Sequence, residues 1–303
     1  VERSRGLGDV YKRQVKYCVC LFLYLFVNIH CMKRIRLKKY DMTFIYIPVL
    51  LLSILSVITY IIRLFNTEVS DYIFFTGTVV LLCFFIVSKV NLKALKVIMI
   101  LLAIVFLAAF YILGNSFLIT AAKKLSSSAV SFGFFDFLFN TCSVYKFQQL
   151  VYETSCGGAR IIDNQIICGV INIVKANPDS ELISYLSGKV VFMFALCGIL
   201  LSEKKNFKAN LLVCALMLIS GNPSPALILL LFTSPSIYFL AMLINFFSFI
   251  ISAQFDIKGA FRVNPSLFEV FYHSDNIINL LAFSVLLCAV SYFVSRLVKE
   301  RKR

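Results

Sequence analysis

Between Ser220 and Pro235 the chain reads SGNPSPALILLLFTSP, with Gly221, Pro223, Pro225 and Pro235 set into an otherwise apolar run. Proline lacks a backbone donor and clashes with the preceding turn, so the string should break a helix near the bilayer midplane. Backbone groups released inside lipid must find partners. Groups freed in this way can coordinate a ligand. A proline-rich turn between two ordinary spans, with no ligand role, is the plainer reading of the same letters.

Other chemistry is sparse. Asp136, Glu153, Asp163 and Glu181 could each bind substrate or couple protons, or simply be hydrated at a helix end. Lys146 and Lys189 have stems long enough to snorkel to an interface. The ten cysteines lie mainly in apolar runs without a repeated CxxC, and His30 and His273 are the only imidazoles, so a zinc site is not expected. Cys18 and Cys20 are too close for a disulfide, and His273, beside a polar turn, reads as interfacial rather than as a ligand. No Walker-type phosphate loop, HExxH or GxSxG is present, and Gly157-Gly158 reads as a turn. No catalytic template or metal site is therefore evident in the sequence.

The elements that must carry these residues are membrane helices. Sixty per cent of the 303 residues are hydrophobic and 15% charged, with a mean hydropathy of +0.88, which excludes a soluble domain. The net charge of +15 does not indicate nucleic acid, because it is concentrated at the termini. Ten basic residues against Glu2 and Asp9 lie in 1–39, and five against Glu300 lie in 296–303. Such flanks set membrane orientation.

A span needs about 20 apolar residues. Residues 44–62, 72–88, 97–120, 182–202, about 207–220, 226–251 and 277–297 qualify or come close. The expected fold is an all-α polytopic membrane protein of about 8 transmembrane spans plus re-entrant hairpin segments. Residues 156–180 are too short in their apolar part to span and read as re-entrant or surface. Charge alternation puts 33–39 in the cytoplasm, Glu68 and Asp71 outside, and Lys89, Lys93 and Lys96 inside, with Lys123 and Lys124 fitting poorly. The C-terminus is expected to be cytoplasmic.

The opening VERSRGLGDVYKRQ resembles translated adapter sequence, so 1–14 is set aside as a sequencing or assembly artefact. Residues 15–31 are then an upstream or extra apolar segment, with Met32 the expected start. Residues 32–125 read as plain spans. After 125 the runs are interrupted, first by Asp136, Asn140, Lys146, Gln148 and Gln149.

Four segments of this second region carry a resemblance. Phe192 to Leu201, FMFALCGILL, followed by SEKKNFK, is similar to MMFGLPAAAL and its charged loop. Gly221 to Tyr238, GNPSPALILLLFTSPSIY, matches GITEPIEFSFLFVAPLLY at Gly221, Pro225, Leu231, Phe232, Pro235 and Tyr238. FDIKGAFRVNPSLFEVF, from Phe255 to Phe271, and FGFFDFLFNTCSVYKFQQLVY complete the series. In order and spacing the chain resembles the membrane-embedded C component, enzyme IIC, of a bacterial phosphotransferase-system sugar permease of the glucose and N-acetylglucosamine type. The likeness covers 126–303, and 89–125 weakly.

The resemblance implies a homodimer in the bacterial cytoplasmic membrane. An N-terminal interface region, 32–125, would stand beside a C-terminal substrate-transport region, 126–303, with re-entrant segments. It also implies a sugar substrate and a separate B component as phosphoryl donor, with this chain orienting the sugar hydroxyl. The departures are specific. The acidic positions of GITEPIE fall on Ser224 and Leu227, the family's histidine pair falls on Gln149 and Leu150, and the Arg and Asp of GDIPRYMAGDP are missing from GVINIVKANP. Sugar contacts would then fall to Gln149, Asn222 and Ser224, with Gly221 and Pro225 shaping the backbone. A degenerate non-transporting sensor or interaction subunit, and an unrelated secondary transporter or lipid-modifying enzyme, are the competing expectations.

Overall fold

The computed structural model describes residues 43–65, 160–177, 183–255, 257–274 and 277–300, with isolated positions between 73 and 141. Ile45 to Arg303 form one compact unit; of the other, Val1 to Phe44, only the first two residues of a helix are described.

The described chain is mostly helical. Its elements are α1 (Thr43–Arg63), a hairpin of β1 (Arg160–Ile162) and β2 (Gln165–Ile167), α2 (Val170–Ala176), α3 (Ile183–Leu201), α4 (Phe207–Ser220), α5 (Ser224–Thr233), α6 (Pro235–Gln254), α7 (Leu267–His273) and α8 (Ile277–Glu300). Among the described residues three helices, Ile45–Arg63, Pro235–Gln254 and Ile277–Glu300, are long and apolar enough to cross a membrane. The protein is on this ground a membrane protein.

α1 shows how lipid shapes the sequence. Ile47, Leu51, Ile54, Ile58 and Ile61, spaced three and four apart, are each about half exposed, whereas Val49, Leu52, Ser53, Ser56, Tyr60 and Arg63 are buried. The exposed stripe is apolar and the buried face carries the polar groups, the inverse of a water-soluble helix. Leu52 and Leu55 pack with Phe74 and with Ile228 of α5.

α3 is apolar all round and almost wholly enclosed, with Val190, Val191, Phe192, Met193, Ala195, Leu196 and Ile199 fully buried. It lies between α6 and α8. Gly198 makes the approach to α8 possible: a Cβ there would lie 2.0 Å from the carbonyl oxygen of Cys288.

Several expectations are corrected. The span expected over 226–251 is two helices, because Ser234 leaves helical geometry at φ −153° and ψ 83° and Pro235 opens α6 at its first turn. The 207–220 segment is the 14-residue α4, about 21 Å long and so too short to cross a core of about 30 Å. The all-α description misses the β1–β2 hairpin within 156–180. Its two-residue turn places Asp163 and Asn164 at φ 51° and 62°, which Asp and Asn tolerate better than most residues. The spans expected at 72–88 and 97–120, the segments 1–14 and 15–31, and the boundary near 125 lie largely or wholly outside the described residues.

Candidate functional site

The polar face of α1 runs as a ladder along the rest of the unit. Near its N-terminal end Tyr46 Oη donates to Asn210 Oδ1 of α4 at 2.8 Å. At that same end of α4, the α3–α4 connection meets the last turn of α8, where Lys299 Nζ donates to Ser202 Oγ at 3.0 Å and pairs with Glu203 Oε2 at 3.3 Å. Ten residues after Tyr46, Ser56 Oγ donates to Leu52 O and accepts from Asn222 Nδ2, both at 2.8 Å. Ser56 is three residues beyond the midpoint of α1, or about 4.5 Å along a helix.

Asn222 lies in the break between α4 and α5. Gly221 ends α4 in the left-handed region at φ 68°, its N–H bonded to Met217 O at 2.8 Å. No other residue type fits easily, since a Cβ would lie 2.6 Å from Ser266 N and 2.9 Å from the Pro265 carbonyl carbon. Asn222 Oδ1 then accepts from Ser224 N at 3.0 Å, and Leu227 N returns to Pro223 O at 3.0 Å as α5 starts. Pro225, inside the first turn, lacks a donor and leaves none unsatisfied.

Ser224 is fully buried, and its Oγ has no hydrogen-bond partner among the described residues. A buried hydroxyl without a partner forfeits on the order of 1–3 kcal/mol of desolvation, so native structures keep few of them without a use.

The loop 257–266 closes over the break. Asn264 Nδ2 donates to Ser220 O at 2.9 Å, and its Oδ1 accepts from Arg63 Nη1 at 2.7 Å. Ser266 caps α7, accepting from Glu269 N at 3.3 Å, and donates to Tyr60 Oη at 2.9 Å. Tyr60 Oη in turn donates to Glu269 Oε1 at 3.3 Å. Glu269 Oε2 accepts from both Arg262 N and Val263 N at 2.6 Å. The carboxylate thus fixes the loop rather than facing the break.

Four of the five expected contact residues, Gly221, Asn222, Ser224 and Pro225, are brought together in this break; Gln149 lies outside the described residues. Sequence reasoning missed Ser56, Tyr60, Arg63, Asn264 and Glu269. Two signals pointed to them: the Ser53, Ser56, Tyr60, Arg63 stripe in an apolar helix, and the Ser-x-x-Glu cap at 266–269. Among the described residues the break presents amides and hydroxyls and no carboxylate, imidazole or thiol. Such groups can bind a neutral hydroxyl-bearing ligand.

A second buried polar centre carries charge. Lys189 Nζ of α3 lies 3.2 Å from Asp136 Oδ1, with both side chains 1% exposed, and Asn140 Nδ2 donates to Asp136 Oδ2 at 2.8 Å. Lys189 therefore does not snorkel; the carboxylate holds it in the interior. Asp163 is an exposed turn residue and His273 an exposed one at the end of α7, while Glu153, Glu181 and Lys146 lie outside the described residues. Cys197 and Cys214 are buried as small apolar side chains, and no cluster of three metal-ligating residues occurs among the described residues. Comparison with models of protein families found no match, and comparisons with curated proteins and with solved structures found none either.

Proposed function

We propose that this chain is a sugar permease subunit, the C component of a bacterial phosphotransferase system, which holds a sugar at the α4–α5 break while a separate B component supplies the phosphoryl group. The observation that carries this reading is the break itself: Asn222 and the unpartnered Ser224 hydroxyl lie buried, level with the middle of α1. Discontinuous helices near the bilayer midplane are where transporters place substrate, and irregular backbone at that depth is tolerated only inside protein or along a water-filled cavity. The four-segment resemblance supports the same conclusion.

In this reading about 8 spans and re-entrant segments complete the fold, two copies associate through 32–125, and 126–303 carries the sugar. The end of α8 beside the SEKKNFK loop faces the cytoplasm of a bacterial inner membrane, since Lys204, Lys208, Arg296 and Lys299 gather there.

Vesicles holding the chain, a phosphorylated B component and a panel of hexoses and N-acetylhexosamines test it. Uptake coupled to phosphorylation is expected, at least tenfold lower in Asn222→Leu; failure to bind any sugar overturns it. One observation favours a second reading, a sensing subunit: Ser224 and Leu227 stand where the resemblance places carboxylates, and Leu227 is fully buried. Sugar binding without transfer would select it.

A further inference from the structure

The charged centre at Asp136 is built from residues other than those of the α4–α5 break, although Arg63 lies within electrostatic reach of Lys189. A carboxylate enclosed in the interior as Asp136 is, 1% exposed, is untenable without a cation, because desolvation of the lone charge costs several kcal/mol. Transport proteins usually meet that demand with a mobile proton or metal ion. Here Lys189 meets it, at 3.2 Å from Asp136 Oδ1.

Polar groups of α6 bond to the two segments that carry the pair. Asn245 Nδ2 of α6 donates to Gly133 O, one helical turn before Asp136, while Asn245 Oδ1 is buried without a hydrogen-bond partner among the described residues. Ser248 Oγ donates to Asn245 O at 2.7 Å and lies 3.1 Å from Gly188 O, the residue before Lys189. Hydrogen bonds from α6 thus tie down both segments that carry the pair, and the Asp136 carboxylate presents oxygen to the place that the ammonium fills. Oxygen ligands of this kind suit hard cations.

We propose that Lys189 is a tethered substitute for a mobile monovalent cation, so that the Asp136 seam of this protein is charge-compensated from within and needs no ion from solution. The proposal predicts a latent cation site, opened when the ammonium and its stem are removed together. It involves no sugar, so its failure would leave the permease reading standing.

The test is thermal unfolding of the purified full chain in detergent, in sodium, potassium or lithium chloride against choline chloride at equal ionic strength. Wild type should unfold at the same temperature in all four. Lys189→Ala should unfold on the order of 10 °C lower in choline and regain about half of that drop or more in one of the metal salts. Lys189→Met, which fills the space, should gain nothing from the salts. Asp136→Ala/Lys189→Ala, with no charge to compensate, should be more stable in choline than Lys189→Ala and indifferent to salt. A Lys189→Ala protein with the same stability in choline and in every metal salt overturns the proposal. A Lys189→Ala protein that folds in none of the salts while the double variant folds also overturns it, because no cation has then replaced the ammonium.

Discussion

The two buried polar centres differ in what they leave unused. Around Asp136 each carboxylate oxygen has a partner, one an ammonium and one an amide, and the charges cancel. Asn222's own partners, Ser56 and the Ser224 backbone, are neutral, and the chain is irregular, with an unpartnered Ser224 hydroxyl. The satisfied centre joins α3 to the helical residues around Asp136 and resists change. The unsatisfied one sits where α1, α4, α5 and the 257–266 loop converge, and has capacity left for a ligand. Buried polarity inside a membrane protein is thus ambiguous until its partners are counted.

Substitutions sharpen the contrast. The largest effect is expected at the charged centre: Lys189→Met alone should destabilise the protein by about 3–5 kcal/mol by leaving a lone buried carboxylate, while Asp136→Leu/Lys189→Met should recover most of it. Unfolding in detergent would read both, and a double variant no better than the single would break the contrast.

Next comes Gly221→Ala, which combines a left-handed φ with a Cβ 2.6 Å from Ser266 N, for a loss of about 1–3 kcal/mol. If the break forms the ligand site, sugar affinity should fall in the folded fraction as well. Glu269→Gln should follow at about 1–2 kcal/mol, since the amide retains one acceptor for the paired Arg262 and Val263 N–H groups but loses the charge that strengthens both bonds. Faster proteolysis confined to the 257–266 loop would confirm that this carboxylate positions the loop. The smallest effect on stability belongs to Ser224→Ala, within about 0.5 kcal/mol of wild type, because no partner is left behind. The same change should weaken sugar binding; an unchanged affinity would remove Ser224 from the site.

Some of this was legible in the letters. Long apolar runs marked α1, α3 and α8 to within two or three residues, and Gly221, Pro223 and Pro225 marked the break. These features act locally, through backbone donors, φ restrictions and side-chain polarity, so they can be read one turn at a time. Pro235 acts just as locally, yet the run through 226–251 was read as one span because its hydrophobicity is continuous on both sides of Ser234. The β1–β2 hairpin was missed for a different reason: strands of three residues are too short to show a period, and only the Asp163-Asn164 turn pointed to it.

The sequence by itself determined that the chain belongs in lipid, which faces of its helices are apolar, and where a helix must stop. Tertiary structure decided which polar groups meet. Asn222 finds Ser56 across 166 positions, Asn264 finds Arg63 across 201, and Lys189 turns inward to Asp136 across 53 rather than outward to the interface. Helical period places a polar residue on a face, but the partner opposite depends on how separate helices pack, and that is set by close approaches such as Gly198 against the Cys288 carbonyl.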